Sequence, residues 1–287
     1  MSEERGGKEA TIWEHLEELA LRLRRSVIIF LVATAIVSLI PASIVVGGSS
    51  SSDWFGFYKP LIFELPIIVF RHIVPPTIEA FNGRTYAIYV IPARGFESVE
   101  VLAVSAVLLG FIASSPFIAR EIWLYIEPAL YPHEKKFAKT YGFLFVASFI
   151  FGVSIAYFLI APMIYRMLLK LYPLIVSEEY SLFLALRVSE VVSFVVKISI
   201  AMGLFFEAPV IVYLLLSRGI LDPDTFGENT LKYLFLGVMI LAAIISPDPS
   251  GLGMLSIGLV LYLPLYLAIV LGKKKARERL ASTNSST

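Results

Sequence analysis

The chain contains no cysteine, which excludes disulfide bonds, thiolate metal sites and cysteine nucleophiles. Charged residues make up only 16% of its 287 residues, fewer than in a typical soluble domain. The three histidines, His15, His72 and His133, show no metal-ligand spacing. The sequence also has no zinc-protease motif, no Gly-x-Ser-x-Gly nucleophile elbow and no glycine-rich phosphate loop. We therefore expect neither an enzyme nor a protein that carries a metal or another cofactor.

The sequence is instead strongly hydrophobic. Hydrophobic residues account for 57% of the chain and the mean hydropathy is +0.80, so lipid must solvate most of it. Residues 3–25 carry many acidic and basic side chains where a cleaved signal peptide would be apolar. We expect this N-terminal segment to remain on the mature protein.

Six apolar segments have, or approach, the roughly 20 helical residues needed to cross a membrane. They cover residues 26–46, 99–119, 137–160, 188–216, 233–246 and 252–271. The fifth is only about 21 Å long at about 1.5 Å per residue, so it either begins earlier or crosses a thinned bilayer. The fourth is overlong and contains Pro209, which predicts a tilt or a kink. The predicted fold class is an all-α polytopic membrane protein with six transmembrane helices.

The positions of lysine and arginine predict its orientation. Sixteen of the 24 lie in short segments that alternate with a second set of seven, and Lys197 lies within the fourth span. By the positive-inside rule both termini are cytoplasmic and the protein sits in the cell membrane. Residues 1–25 then form a cytoplasmic amphipathic helix, and residues 47–98 form an extracytoplasmic loop. Within this loop residues 61–74, broken by Pro66, Arg71 and Pro75, are too short and interrupted to span, and we expect a structured or interfacial loop there. The polar tail, residues 272–287, is expected to be disordered.

Two sequence motifs have an ordinary structural interpretation. Thr11 and Glu14 form a capping box, which predicts a helix that lies against lipid, against the bundle or, given its surplus of acid, against a cationic partner. In the loop after the second span, Pro132 suits the first position of a helix and Glu134 its first turn. On its own, this pattern explains Glu134 as a helix-start residue.

Four motifs, read in order, resemble those of the twin-arginine translocase subunit TatC family. Pro128, Pro209 and Asp248 each belong to one of them. The matching segments are residues 14–19, Trp123 with residues 128–136, residues 206–209 and residues 246–248. Their order and spacing agree with the family over residues 13–271. The resemblance implies a cupped six-helix bundle with both termini in the cytoplasm.

TatC proteins act as receptors for signal peptides that bear paired arginines, and they form the core of a machine that moves folded proteins across the membrane. A guanidinium binds a carboxylate as a planar fork, so such a receptor needs acidic groups at its cytoplasmic rim. By resemblance the signal-peptide site consists of the carboxylates Glu18 and Glu134 and the aromatic Tyr125. We add the neighbouring acids Glu17 and Glu121 to the predicted site.

Two positions depart from the family pattern. Ala20 stands where the family usually has an arginine, and this leaves open whether Arg22 replaces it as the charge partner of Glu18. Glu121 replaces a glutamine and adds an acid to the site. The resemblance also implies TatA-type and TatB-type single-span partners, an oligomeric translocase in membrane lipid and energy from the proton-motive force, with no nucleic acid as a partner.

Glu207 is an acid within the fourth apolar segment, so it should face the bundle or a water-filled concavity. Three interpretations stay open. It is a buried structural acid, a contact for a TatA-type subunit or inserted signal peptide, or the ion relay of a secondary transporter or channel. Lys197 lies on a different face, and we expect it to reach toward Glu190 and the outer surface.

Overall fold

A computed structural model describes residues 12–46, 58–79, 83–91, 95–126, 138–175, 184–246 and 251–284. The described part is mostly helical. Its helices are α1 Ile12–Ser38, α2 Ala42–Val46, α3 Leu61–Ile73, α4 Glu97–Ile126, α5 Ala138–Ile155, α6 Ala161–Ile175, α7 Val188–Phe205, α8 Glu207–Ser217, α9 Glu228–Ile245 and α10 Leu252–Asn284. Many large apolar side chains on these helices are exposed, as expected of a surface solvated by lipid.

Five helical stretches in the described part are long and apolar enough to cross a membrane. They are Glu97–Tyr125, Gly142–Pro173, Val188–Ser217, Glu228–Ile245 and Gly253–Arg279. They correspond to the second through sixth predicted spans. α1 is not among them, because any 18-residue stretch within it contains Arg22, Arg24 and Arg25.

The first predicted span does not end where expected. The N-terminal amphipathic segment and the apolar segment form one helix, α1, which stops at Ser38 rather than continuing to residue 46. Pro41 then separates α1 from α2, because its ring cannot supply the N–H that a continuous helix needs. Backbone bonds from Ala42 to Lys59 and from Leu61 to Ile40, both 2.8 Å, tie this break to the start of α3.

Residues 61–73 form a helix, α3, although Pro66 and Arg71 had predicted a structured loop. Tertiary packing outweighs the local signal, because Val69 and Ile73 are fully buried in the core and their burial stabilises a helix that the proline alone would weaken. Beside it, strands β1 Thr77–Glu79 and β2 Thr85–Val90 pair antiparallel, and β2 pairs in parallel with β3 Leu184–Leu186. No sequence pattern predicted these strands.

The third apolar segment is longer than predicted. α5 continues through a π-helical turn, Ala156–Ile160, into α6. Pro162 explains the turn, because it has no N–H to donate to the carbonyl of Phe158. The backbone hydrogen bonds of the helix therefore change their spacing there. Arg166 and Lys170, which follow the predicted end of the third span at residue 160, therefore lie on α6.

The fourth apolar segment is kinked, as predicted. α7 ends at Phe205, Phe206 is a turn residue, and α8 begins at Glu207. Pro209 removes the N–H that would bond to the carbonyl of Phe205, so the helix breaks one turn before the proline. α7 is anchored by Gly152 of α5, where a Cβ would lie 2.6 Å from the carbonyl oxygen of Met202.

The last two helices also differ from their predicted bounds. α9 begins at Glu228, five residues earlier than expected, which lengthens the short fifth span. The expectation of a disordered tail is wrong for residues 272–284, which continue α10. Lysine, arginine, alanine and glutamate favour a helix there, Ala276 is buried, and Lys273 Nζ donates to the carbonyl of Phe226 at 2.5 Å.

Candidate functional site

Close packing of α1 on α4 positions the candidate acidic site. The two helices touch at Gly110, where a Cβ would lie 1.9 Å from Thr34 Oγ1. The rings of Phe30 and Phe111 are 4.9 Å apart on the same seam. A residue larger than glycine at position 110 would have to displace the Thr34 side chain, so this contact sets how closely α1 packs against α4.

An arginine bridges two carboxylates where α1 meets the last turns of α4. Arg22 Nη2 lies 2.5 Å from Glu18 Oε1, and Arg22 Nε donates to the same oxygen at 3.0 Å. Arg22 Nη1 lies 3.8 Å from Glu121 Oε2. Arg22 is therefore the charge partner of Glu18, which answers the question that Ala20 had raised.

The two carboxylates differ in access. The Glu18 side chain is 38% exposed and that of Glu121 only 10%. Glu121 Oε2 is buried and makes no hydrogen bond within the described residues, since its distance to Arg22 is that of an ion pair without a hydrogen bond. The cluster thus has one accessible acid and one deeper acid that is only partly compensated.

The other predicted site residues fall into two groups. Glu17 is exposed on α1, and Tyr125 is half-buried on α4 one helical turn after Glu121, on the same face. Glu134, Pro128 and Asp248 lie outside the described residues. The structure therefore brings Glu18 and Glu121 together, and the position of Glu134 relative to them stays a prediction.

Glu207 occupies the first turn of α8, immediately after the kink. Its Oε2 is buried and has no hydrogen-bond partner within the described part of the chain. Ser148 of α5 donates to the carbonyl of Phe206 at 2.5 Å, and the rings of Phe151 and Phe206 meet edge to face at 5.5 Å. The kink is thus held from one side by α5, and an unsatisfied acid oxygen lies next to it.

The structure shows no ion pair between Lys197 and Glu190. Glu190 Oε1 is paired with Arg187 Nη2 at 2.5 Å, because three residues along a helix bring side chains together. Lys197 is exposed on α7 and forms no ion pair with any residue that the structure describes. Among the described residues no group of three histidine, aspartate or glutamate side chains could hold a metal.

Sequence comparisons identify similar proteins over most of the chain. The profile of the family described as "Sec-independent protein translocase protein (TatC)" matches residues 14–260. A protein of that name from Aquifex aeolicus (strain VF5) is 30% identical over 268 residues, which cover 93% of this chain and 96% of the relative. Another from Carboxydothermus hydrogenoformans is 27% identical over 266 residues, 93% of this chain and 94% of the relative.

Solved structures give the same result at the level of the fold. A crystal structure of the twin-arginine translocase receptor TatC superposes with a TM-score of 0.62 and 27% identity, covering 91% of this chain and 99% of that one. A second crystal structure of the receptor, in the detergent DDM, gives a TM-score of 0.63 with the same identity and covers 91% of this chain and all of the other. The similarity therefore extends through the helices that carry the acidic cluster and the kink.

Proposed function

Because the chain belongs to the TatC family of Sec-independent protein translocase proteins, we propose that it binds twin-arginine signal peptides through the acids at the start of α1 and the end of α4. Members of the family are translocase components and not enzymes. The solved relatives are described as twin-arginine translocase receptors. The chain itself is a multi-pass membrane protein.

The observation that carries the proposal is the bridge made by Arg22. A guanidinium already lies between Glu18 and Glu121, with two nitrogens on one carboxylate oxygen and a third nitrogen facing the other acid. The cluster thus has the spacing and charge to accept an arginine side chain. A lysine ammonium would keep the charge but lose the planar fork, so the same geometry favours paired arginines over paired lysines.

The bridge is also easy to exchange. Glu18 is more than a third exposed, and ion pairs of that kind contribute about 0–1 kcal/mol. An incoming arginine can therefore take over Glu18 from Arg22 at little cost. Glu121 remains below as a second carboxylate, and Glu134, Glu17 and Tyr125 complete the proposed surface.

The proposal also covers the membrane orientation of the chain, the role of Glu207 and the partner subunits. Both termini face the cytoplasm, so the acidic cluster lies at the cytoplasmic rim of the cell membrane. Glu207 contacts a TatA-type subunit or the inserted part of the signal peptide, and TatA-type and TatB-type partners assemble with the chain into an oligomer that uses the proton-motive force. Support for Glu207 in this role comes from its buried oxygen, which has no partner within the described residues.

The test compares binding of a precursor with paired arginines and its paired-lysine variant to the purified protein by site-specific crosslinking. We expect the arginine precursor to crosslink and the lysine variant to crosslink several-fold less. Glu134→Ala and Glu18→Gln should abolish the difference, while the control Glu228→Gln, which alters an exposed ion pair on α9, should not. Equal crosslinking of both precursors, or no effect of Glu134→Ala, contradicts the proposal.

A further inference from the structure

A polar cavity lies at the opposite end of α4 from the acidic cluster. It has a volume of about 430 Å³ and opens between the first turn of α4 and the first three turns of α7. That volume falls within the roughly 300–1,000 Å³ of small-molecule sites. Its wall carries charges of both signs, from Glu97, Glu100, Arg187, Glu190 and Lys197.

Some of these charges are already used within the protein. Arg187 is paired with Glu190. Glu97 is buried and accepts hydrogen bonds from the backbone N–H and the hydroxyl of Ser189, at 3.1 Å and 2.9 Å. Glu100 and Lys197 form no ion pair or hydrogen bond with any described residue. As far as the described residues go, one carboxylate and one ammonium group therefore remain available in the same cavity.

A buried hydroxyl also lines the cavity. Ser193 is only 8% exposed, and its Oγ makes no hydrogen bond with any residue that the structure describes. Ser199 on the same helix is likewise buried without a partner among the described residues, but it does not line the cavity, whereas the buried Ser105 bonds back to the carbonyl of Val101 at 2.7 Å. A buried hydroxyl without a partner is costly, so the side chain is placed to bond to something that enters the cavity.

The depth of the cavity points to lipid as the occupant. Lys197 lies nine residues into α7, about 14 Å along the axis at about 1.5 Å per residue, and it is exposed on the surface of the helix. The exposed stripe continues with the apolar Ala201 and Leu204. A polar pocket that leads into an apolar stripe on a membrane helix matches the shape of a head group followed by an acyl chain.

We propose that this cavity binds the head group of a phospholipid that carries both a phosphate and a primary ammonium, as phosphatidylethanolamine does. The phosphate lies against Lys197 and Ser193, and the ammonium lies against Glu100. With the orientation proposed above, the lipid comes from the outer leaflet. A glycerol head group gives Glu100 no cation, and a choline head group has no N–H to donate, so both fit the cavity less well.

The experiment measures lipid retention by the purified, delipidated full chain with native mass spectrometry, using phosphatidylethanolamine, phosphatidylcholine and phosphatidylglycerol in turn. We expect the wild type to retain phosphatidylethanolamine at least several-fold better than the other two. Lys197→Gln and Glu100→Gln should each remove that preference, and the conservative Lys197→Arg should keep it. Excess inorganic phosphate should not displace the lipid, because phosphate alone offers nothing to Glu100 or to the apolar stripe.

The exposed ion pair between Glu228 and Lys232 on α9 supplies the matched controls. Lys232→Gln and Glu228→Gln change the same charges away from the cavity and should leave the preference intact. Equal retention of the three lipids, preference for phosphatidylglycerol, or a preference that survives Lys197→Gln and Glu100→Gln overturns the proposal. Displacement by inorganic phosphate identifies a plain anion site and overturns it as well. If a glutamine variant fails to fold, the comparison of Ser193→Ala with wild type decides, since a retained preference there contradicts a phosphate held by that hydroxyl.

Discussion

Arg22 has two opposing effects on the acidic cluster. It compensates Glu121, which is nearly buried, and it occupies Glu18, which is accessible. The first role stabilises the contact between α1 and α4, because an uncompensated buried charge is costly. The second role competes with any arginine that arrives from outside. Stability of the free protein and affinity for the signal peptide are therefore coupled through one side chain.

Replacing Arg22 by glutamine should separate these roles. We expect Arg22→Gln to bind a twin-arginine peptide up to about fivefold more tightly, the effect of ~1 kcal/mol, and to melt at a lower temperature. Fluorescence anisotropy with a labelled peptide and thermal unfolding in the same detergent measure the two effects. Arg24→Gln, which alters an exposed neighbour on α1, should change neither. Weaker peptide binding by a folded Arg22→Gln protein would show that Arg22 organises the site rather than competing for it.

Substitutions of Glu207 should separate signal-peptide binding from transport. We expect Glu207→Leu to leave signal-peptide binding intact and to lower transport several-fold, because the change is at the kink and not at the acidic cluster. Peptide binding and transport into vesicles measure the two quantities, and Glu207→Gln, which keeps the shape and polarity, serves as the matched variant. Loss of folding in Glu207→Leu but not in Glu207→Gln would favour the interpretation of a structural polar group.

At the scale of elements, glycines set how closely the helices approach. Gly152 lies against backbone, since a Cβ there would be 2.6 Å from the carbonyl oxygen of Met202. Gly110 lies against the side chain of Thr34, which can rotate. Backbone yields less readily than a side chain, so the contact at Gly152 is the more demanding of the two.

Adding one methyl group at Gly152 should therefore push α5 away from α7. We expect Gly152→Ala to cost about 1–3 kcal/mol of stability, as overpacking does. Gly237→Ala on α9 is the control, because a Cβ there meets nothing within 4 Å and alanine favours a helix by about 1 kcal/mol. Thermal unfolding of both variants in one detergent gives the comparison. An equal response of the two glycines would contradict the close approach.

Hydrophobic length predicts the spans well because lipid imposes a minimum length on any segment that crosses it. It fails where contacts distant in sequence decide. The strand Leu184–Leu186 has three residues and pairs with β2, so its own sequence carries almost no signal. Pro66 suggested a loop, yet burial of α3 makes that segment helical. Local propensity was overridden there by tertiary packing.

The candidate site likewise contains one contact that the local sequence predicts and one that depends on residues distant in sequence. The pair Glu18 and Arg22 is readable from the sequence, because a glutamate four residues before a cation is the favourable order on a helix. Its contact with Glu121 joins residues 99 positions apart and depends on the packing of α1 on α4, which no local pattern encodes. The family resemblance pointed to Glu18, and Glu121 stood out as a departure from the family pattern, but neither indicated that an arginine already lies between the two acids.

At the scale of the whole molecule, the proposed function requires the acidic cluster and the C-terminal end of α10 on one side of the membrane and the three-stranded sheet on the other. The chain has no cysteine, so a single introduced cysteine reports its own side. Lys275 is exposed near the end of α10 and Thr85 is exposed at the start of β2. We expect a membrane-impermeant maleimide to label Thr85→Cys in intact cells and to label Lys275→Cys only after the membrane is opened. Labelling of Lys275→Cys in intact cells would place the acidic cluster outside, where it could not meet a signal peptide before transport, and would refute the receptor proposal whatever the affinity of the purified protein.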